Sequence, residues 1–181
     1  MGLLSIIQTS GMNSNLLNEQ QRIAFLSKVS LFEDIKENYT ALKMLSNMMT
    51  EAKFSQNQTI IKEGEFGSNI YFLVQGEVSV YKKTLEGELF KVHIFKESCH
   101  SFFGEAALLE EDVRSATISA DFKSLCLTLN RKNFIEFCNK QPQWALPISL
   151  RVARTVMSRL RKTNNDLMTL YDALVREVRG D

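Results

Sequence analysis

The architecture turns on Ile61-Lys62-Glu63-Gly64-Glu65-Phe66-Gly67-Ser68-Asn69-Ile70-Tyr71-Phe72-Leu73-Val74-Gln75-Gly76-Glu77-Val78. Residues 70–74 form a short apolar run rich in β-branched and aromatic side chains, a second run covers 78–81, and Gly76 stands between them where a tight turn is needed. Gly64 and Gly67 punctuate the approach. The same pattern extends outward, with β-rich runs at 59–61, 90–95, 116–118 and 125–129 and glycines at 87 and 104. Short strands at this spacing predict a small antiparallel roll over residues 52–130.

The flanks read as helix. Ile23, Phe25 and Leu26, then Leu42, Leu45, Met48 and Met49, recur at helical spacing in an N-terminal segment, residues 1–51, with Asn38 and Thr40 as candidate caps. The C-terminal segment, residues 131–181, begins with a helix over 131–139 behind the cap Asn130 and continues as a long helix ending near Val178. Because proline breaks a helix interior, that helix is predicted to start near Pro147 rather than at Pro142. The fold class is therefore mainly β with flanking helices: a jelly-roll-like β-roll, N-terminal helices and a long C-terminal helix.

Along the long helix, Leu146, Leu150, Ala153, Met157, Leu160, Asn164, Leu167, Tyr171, Leu174 and Val178 alternate in spacing between four and three. These are coiled-coil a and d positions, with Asn164 at an a position where a polar residue fixes register and two-strandedness. A homodimer through Leu150, Ala153, Met157, Leu160, Asn164, Leu167, Tyr171 and Leu174 follows, with Val156, Met168, Leu170 and Val175 left to cover the roll. The alternative is that the stripe packs on the chain's own roll.

With 181 residues, 44% of them hydrophobic, the chain can bury one sizeable core. Its 22 basic residues balance 21 acidic ones, so net charge gives no reason to expect nucleic acid or an anionic membrane. Cys99, Cys126 and Cys138 are odd in number and far apart, which fits neither a disulfide framework nor a metal site and points to the cytoplasm. The apolar run 3–7 lacks a basic flank, Gly2 is followed by Ile6 where myristoylation needs Ser or Thr, and no stretch is long enough to span a bilayer. No membrane association is expected. His93 and His100 are the only histidines and anchor no catalytic or metal grouping, so neither catalysis nor a cofactor is expected.

The chemistry concentrates in Phe103-Gly104-Glu105-Ala106-Ala107-Leu108-Leu109 and Arg114-Ser115-Ala116-Thr117. Gly104 lets a backbone approach closely, and the small residues after Glu105 leave helix N–H groups open to an anion. Arg114, across the acidic turn Glu110-Glu111-Asp112, is placed to fold back onto a phosphate, and Ser115 adds a hydroxyl. Glu105 would accept from a ribose hydroxyl, since a carboxylate beside the phosphate would repel it. The bland alternatives are that Glu105 compensates a helix dipole and that Arg114 is a solvated strand residue.

Residues 103–117 resemble the phosphate-binding cassette of cyclic-nucleotide-binding domains, Phe-Gly-Glu-x-Ala-Leu followed after a short gap by Arg-x-Ala-Thr. Residues 61–78 resemble the glycine-punctuated first half of the same roll, and 133–165 the dimerisation helix of the bacterial catabolite-activator group. The resemblance implies a ligand site of Phe103, Gly104, Glu105, Ala106, Ala107, Arg114, Ser115 and Ala116, with Thr163 meeting the purine within one subunit and Asn164 reaching in from the other. Cyclic AMP is the implied ligand, with cyclic GMP open because Ser115 serves either. His100 stands where the family usually has Gly, Val113 where Pro is common and Ser68 where Asp is common, and the arginine spacing is that of the protein-kinase-A type.

Three functions follow. The first is a dimeric cyclic-nucleotide sensor acting through its C-terminal helix on a downstream protein partner. The second is the effector part of a catabolite-activator-type transcription regulator, motivated by Arg151, Arg154, Arg159, Arg161 and Lys162; the a/d stripe on the same helix and the chain's end at Asp181, short of a helix-turn-helix, speak against DNA binding. The third is a degenerate fold retained as an interaction scaffold, motivated by His100 and Val113.

Overall fold

Residues 70–74 are apolar at every position because both of their faces are buried. In a computed structural model, which describes residues 16–109 and 112–180, they lie in β4 (Asn69–Gln75) at the centre of the molecule. Ile70, Phe72 and Val74 point to a cluster shared with the helices, while Tyr71 and Leu73 point between the two sheets of the roll. This is the period of two that strand geometry imposes. Gly2, the run 3–7, Glu110, Glu111 and Asp181 lie outside the described residues.

One sheet has the order β1 (Met49–Phe54), β10 (Ser124–Asn130), β4 and β7 (Phe102–Phe103). The facing sheet has the order β2 (Thr59–Ile61), β9 (Thr117–Ala120), β5 (Glu77–Lys83) and β6 (Leu89–Lys96). β3 (Phe66–Gly67) and β8 (Asp112–Val113) form a separate small ribbon, and every pairing is antiparallel. Ile61, Leu73, Val78, Phe103, Ile118 and Cys126 fill the space between the sheets. Burial pushes the Cys126 thiol up to about 12, and all three cysteines are free thiols.

The helices cover the outer face of the first sheet. α1 (Glu19–Leu26) starts with a capping box between Asn18 and Gln21. A 3-10 turn (Ser30–Ile35) leads to α2 (Tyr39–Met48), where Asn38 accepts from the Ala41 N–H at 3.0 Å; Thr40 sits inside the first turn and is not the cap. The sequence here reads as helix through Met49, yet Met49 already pairs with Leu129, so the sheet begins ahead of Ala52. α3 (Ala106–Leu109) is a single turn, and α4 (Arg131–Lys140) is capped by Asn130, which accepts from Lys132 N–H at 2.9 Å.

α5 (Pro142–Arg179) is one continuous helix that starts at Pro142 and carries Pro147 inside it, correcting the expected start. Pro142 occupies the first turn, where a missing N–H costs nothing, and Pro147 deprives only the carbonyl of Gln143, an exposed residue that water can satisfy. Ala145, Ile148 and Val152 are its buried residues. The a/d residues Leu146, Leu150, Met157, Leu160, Leu167, Tyr171, Leu174 and Val178 are exposed, so the stripe does not pack on the chain's own roll. Met168 and Leu170 are exposed as well and do not cover the roll as expected; only Val156 and Val175 are half-buried. No helix among the described residues is long and apolar enough to cross a membrane.

Candidate functional site

Arg114 enters the roll between β8 and β9 and turns inward. Its Nη2 donates to the Asn69 carbonyl at 2.6 Å and its Nη1 to the Gly104 carbonyl at 3.2 Å. Two glycines make room for it. A Cβ on Gly67 would fall 2.7 Å from the guanidinium carbon, and one on Gly104, whose φ is +76°, would fall 2.9 Å from Nη1. Burial lowers the Arg114 pKa from the ordinary guanidinium value, against the opposing pull of Tyr71 and Glu105. Arg114 also lines a cleft of about 260 Å³ with Ile61, Lys62, Glu65, Phe66, Gly67, Ser68, Asn69 and Tyr71. It is thus a held cation, not a solvated strand residue.

Phe103 and Gly104 bring the chain from β7 into the turn before α3, where Ala107 N–H bonds the Gly104 carbonyl at 3.2 Å and Leu108 N–H the Glu105 carbonyl at 3.0 Å. Phe103 is buried and stacks on Tyr71, while Ala106 is exposed and Ala107 buried. Glu105 is only 5% exposed. A carboxylate at that depth requires a partner, and it has one in the guanidinium of Arg159, which reaches down from α5. The Arg159 guanidinium carbon also lies 6.0 Å from the centroid of Phe95. Dipole compensation alone does not describe Glu105, because its charge is spent on a residue 54 positions away.

On the opposite side, the Ser115 carbonyl accepts from Lys82, whose ammonium also pairs with Glu63 at 3.2 Å. Ser115 itself is exposed and Ala116 half-buried; the Thr117 hydroxyl accepts from Glu63 N–H at 3.1 Å. The single chain therefore brings Arg114 onto the Gly104 carbonyl and near Glu105, with Phe103, Ala106 and Ala107 flanking the latter two in the chain and Ser115 and Ala116 following Arg114. It does not bring in Thr163 or Asn164, which are exposed on the free part of α5. Thr163 lies one turn beyond Arg159 on the same side of the helix.

The departures from the expected pattern have local readings. His100 has φ 46° and ψ 45°, the left-handed region that glycine occupies freely, and its ring contacts Phe25 of α1 at 5.7 Å between centroids. The Ser68 hydroxyl accepts from Asn130 at 2.9 Å, and Val113 pairs with Phe66 in the small ribbon. Among the described residues no grouping of His, Cys, Asp and Glu could hold a metal ion. Of the basic run, Arg151 makes a two-pronged pair with Asp34 at 2.6 and 3.0 Å, and Arg159 is engaged by Glu105, so neither is a freely solvated cation.

The Cyclic nucleotide-binding domain family matches residues 51–141, from β1 through the roll to the end of α4. The chain belongs to this family. The cAMP-dependent protein kinase regulatory subunit of Dictyostelium discoideum is 31% identical over 115 residues, covering 63% of this chain and 35% of that protein. The cGMP-dependent protein kinase egl-4 of Caenorhabditis elegans is 31% identical over 131 residues, covering 72% of this chain and 16% of that one. The chain thus spans about a third or less of the length of these relatives. A cyclic nucleotide-binding domain from Methylobacillus flagellatus superposes with a TM-score of 0.69 at 17% identity, covering 83% of this chain and 82% of that one. The regulatory subunit of a cAMP-independent protein kinase A from Trypanosoma brucei gives 0.63 at 24% identity, over 77% and 47%.

As a cyclic-nucleotide-binding domain, the chain is a binding module with a jelly-roll-like roll and flanking helices. Residues that sequence reasoning did not single out as part of the site are Gly67, Asn69, Phe95, Lys82 and Arg159. For Gly67 the signal was its place in a glycine-punctuated run; for Arg159 there was none, since its partner lies on another element.

Proposed function

We propose that this cyclic-nucleotide-binding domain is a cyclic AMP sensor that works as a homodimer and signals through α5. The observation that carries the proposal is the pair between Glu105 and Arg159. Glu105 is the carboxylate that the ribose 2′-hydroxyl needs, and Arg159 belongs to the helix that must respond. Ligand and helix therefore compete for one group, and uptake of the nucleotide biases the position of α5 by its differential contacts. Arg114 would exchange two carbonyl acceptors for the phosphate, a stronger charge-assisted partner. Ser115 and the backbone of Glu105 and Ala106 would complete the anion cradle, the Ala107 N–H being held by the Gly104 carbonyl, with no catalytic step.

The exposed a/d stripe supports the dimer, because an apolar row of this length otherwise faces water. Pairing α5 across a two-fold axis would bring Asn164 of one chain toward the site of the other, supplying the lid that one chain lacks. Cyclic AMP is preferred over cyclic GMP on the strength of Thr163 and the likeness to catabolite activators; the kinase relatives include proteins named for each nucleotide.

Calorimetry on the purified chain tests this. Wild-type protein is expected to bind cyclic AMP saturably. Arg114→Glu is expected to abolish the heat while leaving the circular dichroism spectrum intact, since it puts repulsion where a pair typically worth about 2–5 kcal/mol stood. Undiminished binding by Arg114→Glu sinks the site assignment. A scaffold without nucleotide is the second reading, favoured by the strained His100. Failure of both nucleotides, at large excess, to raise the melting temperature would decide for it.

A further inference from the structure

The apolar face of α5 widens past Asn164. In a two-stranded coiled coil the a and d positions fill the seam, and the flanking e and g positions are commonly charged. The first half of the stripe follows this at e, with Arg154 and Arg161. In the second half Met168 and Val175 stand at e and Leu170 at g, beside Leu167, Tyr171, Leu174 and Val178 at a and d. Met168 is 56% exposed and Leu170 68%, and a seam between two helices would leave both at its rim. An arc that adds flanking positions to a and d has the width of a helix facing a larger core.

The surface that fits this face is the same face reversed. With two copies antiparallel and Tyr171 of one level with Leu174 of the other, Leu167 comes level with Val178 and Leu170 with Val175, apolar on apolar at each step. Such self-complementarity is what an interface between identical chains about a two-fold axis requires. The charges agree. Asp166 and Asp172 precede Leu174, Arg176 and Arg179 follow it, and none of the four is in an ion pair within the described residues. Reversal sets Asp166 level with Arg179 and the acidic half beside the basic half, whereas further parallel helices would set like charge beside like; Glu177, level with Met168, is the exception. We propose that residues 164–179 join two dimers tail to tail, with antiparallel helices, into a tetramer. This rests on the homodimer of the proposed sensor and adds a second interface to it, one that gives a shift of α5 in one dimer a packed route to the other.

Sedimentation equilibrium of the full chain tests this. Wild-type protein should pass from dimer to tetramer as concentration rises. Met168→Glu combined with Val175→Glu places charge where a two-stranded coil accepts it; the double variant should lose the tetramer, keep the dimer and bind cyclic AMP as wild type does. Direction is read by mixing Leu167→Cys with Val178→Cys protein under mild oxidation. A disulfide between the two variants is expected, since parallel helices in register hold these positions about 16 Å apart along the axis. A wild-type protein that remains dimeric at every concentration overturns the inference and leaves the face to a helix of another protein, and a double variant that still forms tetramers overturns it too. Disulfides only between like residues overturn the reversed register. A wild-type monomer has a different meaning: the homodimer reading itself falls, and this with it.

Discussion

The two ends of α5 belong to one helix but live in different surroundings. Near its start, Ala145, Ile148 and Val152 are buried beside Phe32, Phe134 and Phe137, and Arg151 is held by Asp34. Past Leu160 the helix runs for about another 30 Å with Leu167, Tyr171 and Leu174 in water. Arg159 marks the border, the last of these side chains tied to the roll, and its tie is to the carboxylate of the cassette. The difference teaches that packing on the fold sets the near half, while in the proposed sensor the far half would carry a change at the border outward.

Substitutions on either side of that border should behave differently. Ile148→Ala removes a fully buried side chain and should cost about 2–5 kcal/mol of stability, read by denaturant titration, to the same extent at any protein concentration. Leu160→Ala combined with Leu167→Ala should leave the roll folded but weaken self-association on the order of tenfold or more in sedimentation equilibrium. A wild-type chain that sediments as a monomer at high concentration would remove the dimer from the account. Arg159→Gln frees Glu105 of its competitor and should tighten cyclic AMP about fivefold, as befits a pair whose arginine is half exposed. Weaker binding would mean that Arg159 assists the ligand.

The smallest effect is expected at His100, on the far side of the roll's mouth. Burial and then Lys28 hold its pKa below the ordinary value, so the unfolded chain takes up its proton first as pH falls. Stability from this group is therefore complete above about pH 6.5 and declines as pH drops through the depressed value in the fold. Because the ring is only half-buried, the slope should be slight. His100→Gly should flatten it and offset lost contact with Phe25 by relieving a left-handed residue, a relief of about 1 kcal/mol. Thermal melts at pH 7.5 and 5.5 check both.

Most of the roll was legible because strands buried on one or both faces carry their signal locally. The run 59–61 matches β2, and the caps Asn38 and Asn130 were readable from residue type and position alone. β1 was not, because Met49-Thr50-Glu51-Ala52-Lys53-Phe54 continues the methionine spacing of α2 and becomes a strand only by pairing with β10. The two-residue strands β3, β7 and β8 are too short to show any period. Pro147 misled because a local rule against proline ignores that the exposed Gln143 carbonyl is free to meet water.

The site divides the same way. Gly104, Glu105 and Arg114 could be named as candidates from their chemistry together with the resemblance to the family's cassette, since a cradle for a phosphate and its ribose demands a glycine, a carboxylate and a cation. Arg159 could not, because it stands among other arginines on a helix and differs from them only in what it reaches. Phe95 reads as an ordinary residue of β6, and its contacts with Phe103 and the Arg159 guanidinium exist only in the fold.

The central claim is that nucleotide and α5 share Glu105, and hydrogen exchange with and without saturating cyclic AMP tests it most directly. The account predicts slowed exchange across residues 103–108 together with a change across 155–165, the stretch of α5 that carries Arg159. Protection confined to the cassette, with α5 unaltered, would contradict the coupling; no change in either segment would contradict the site.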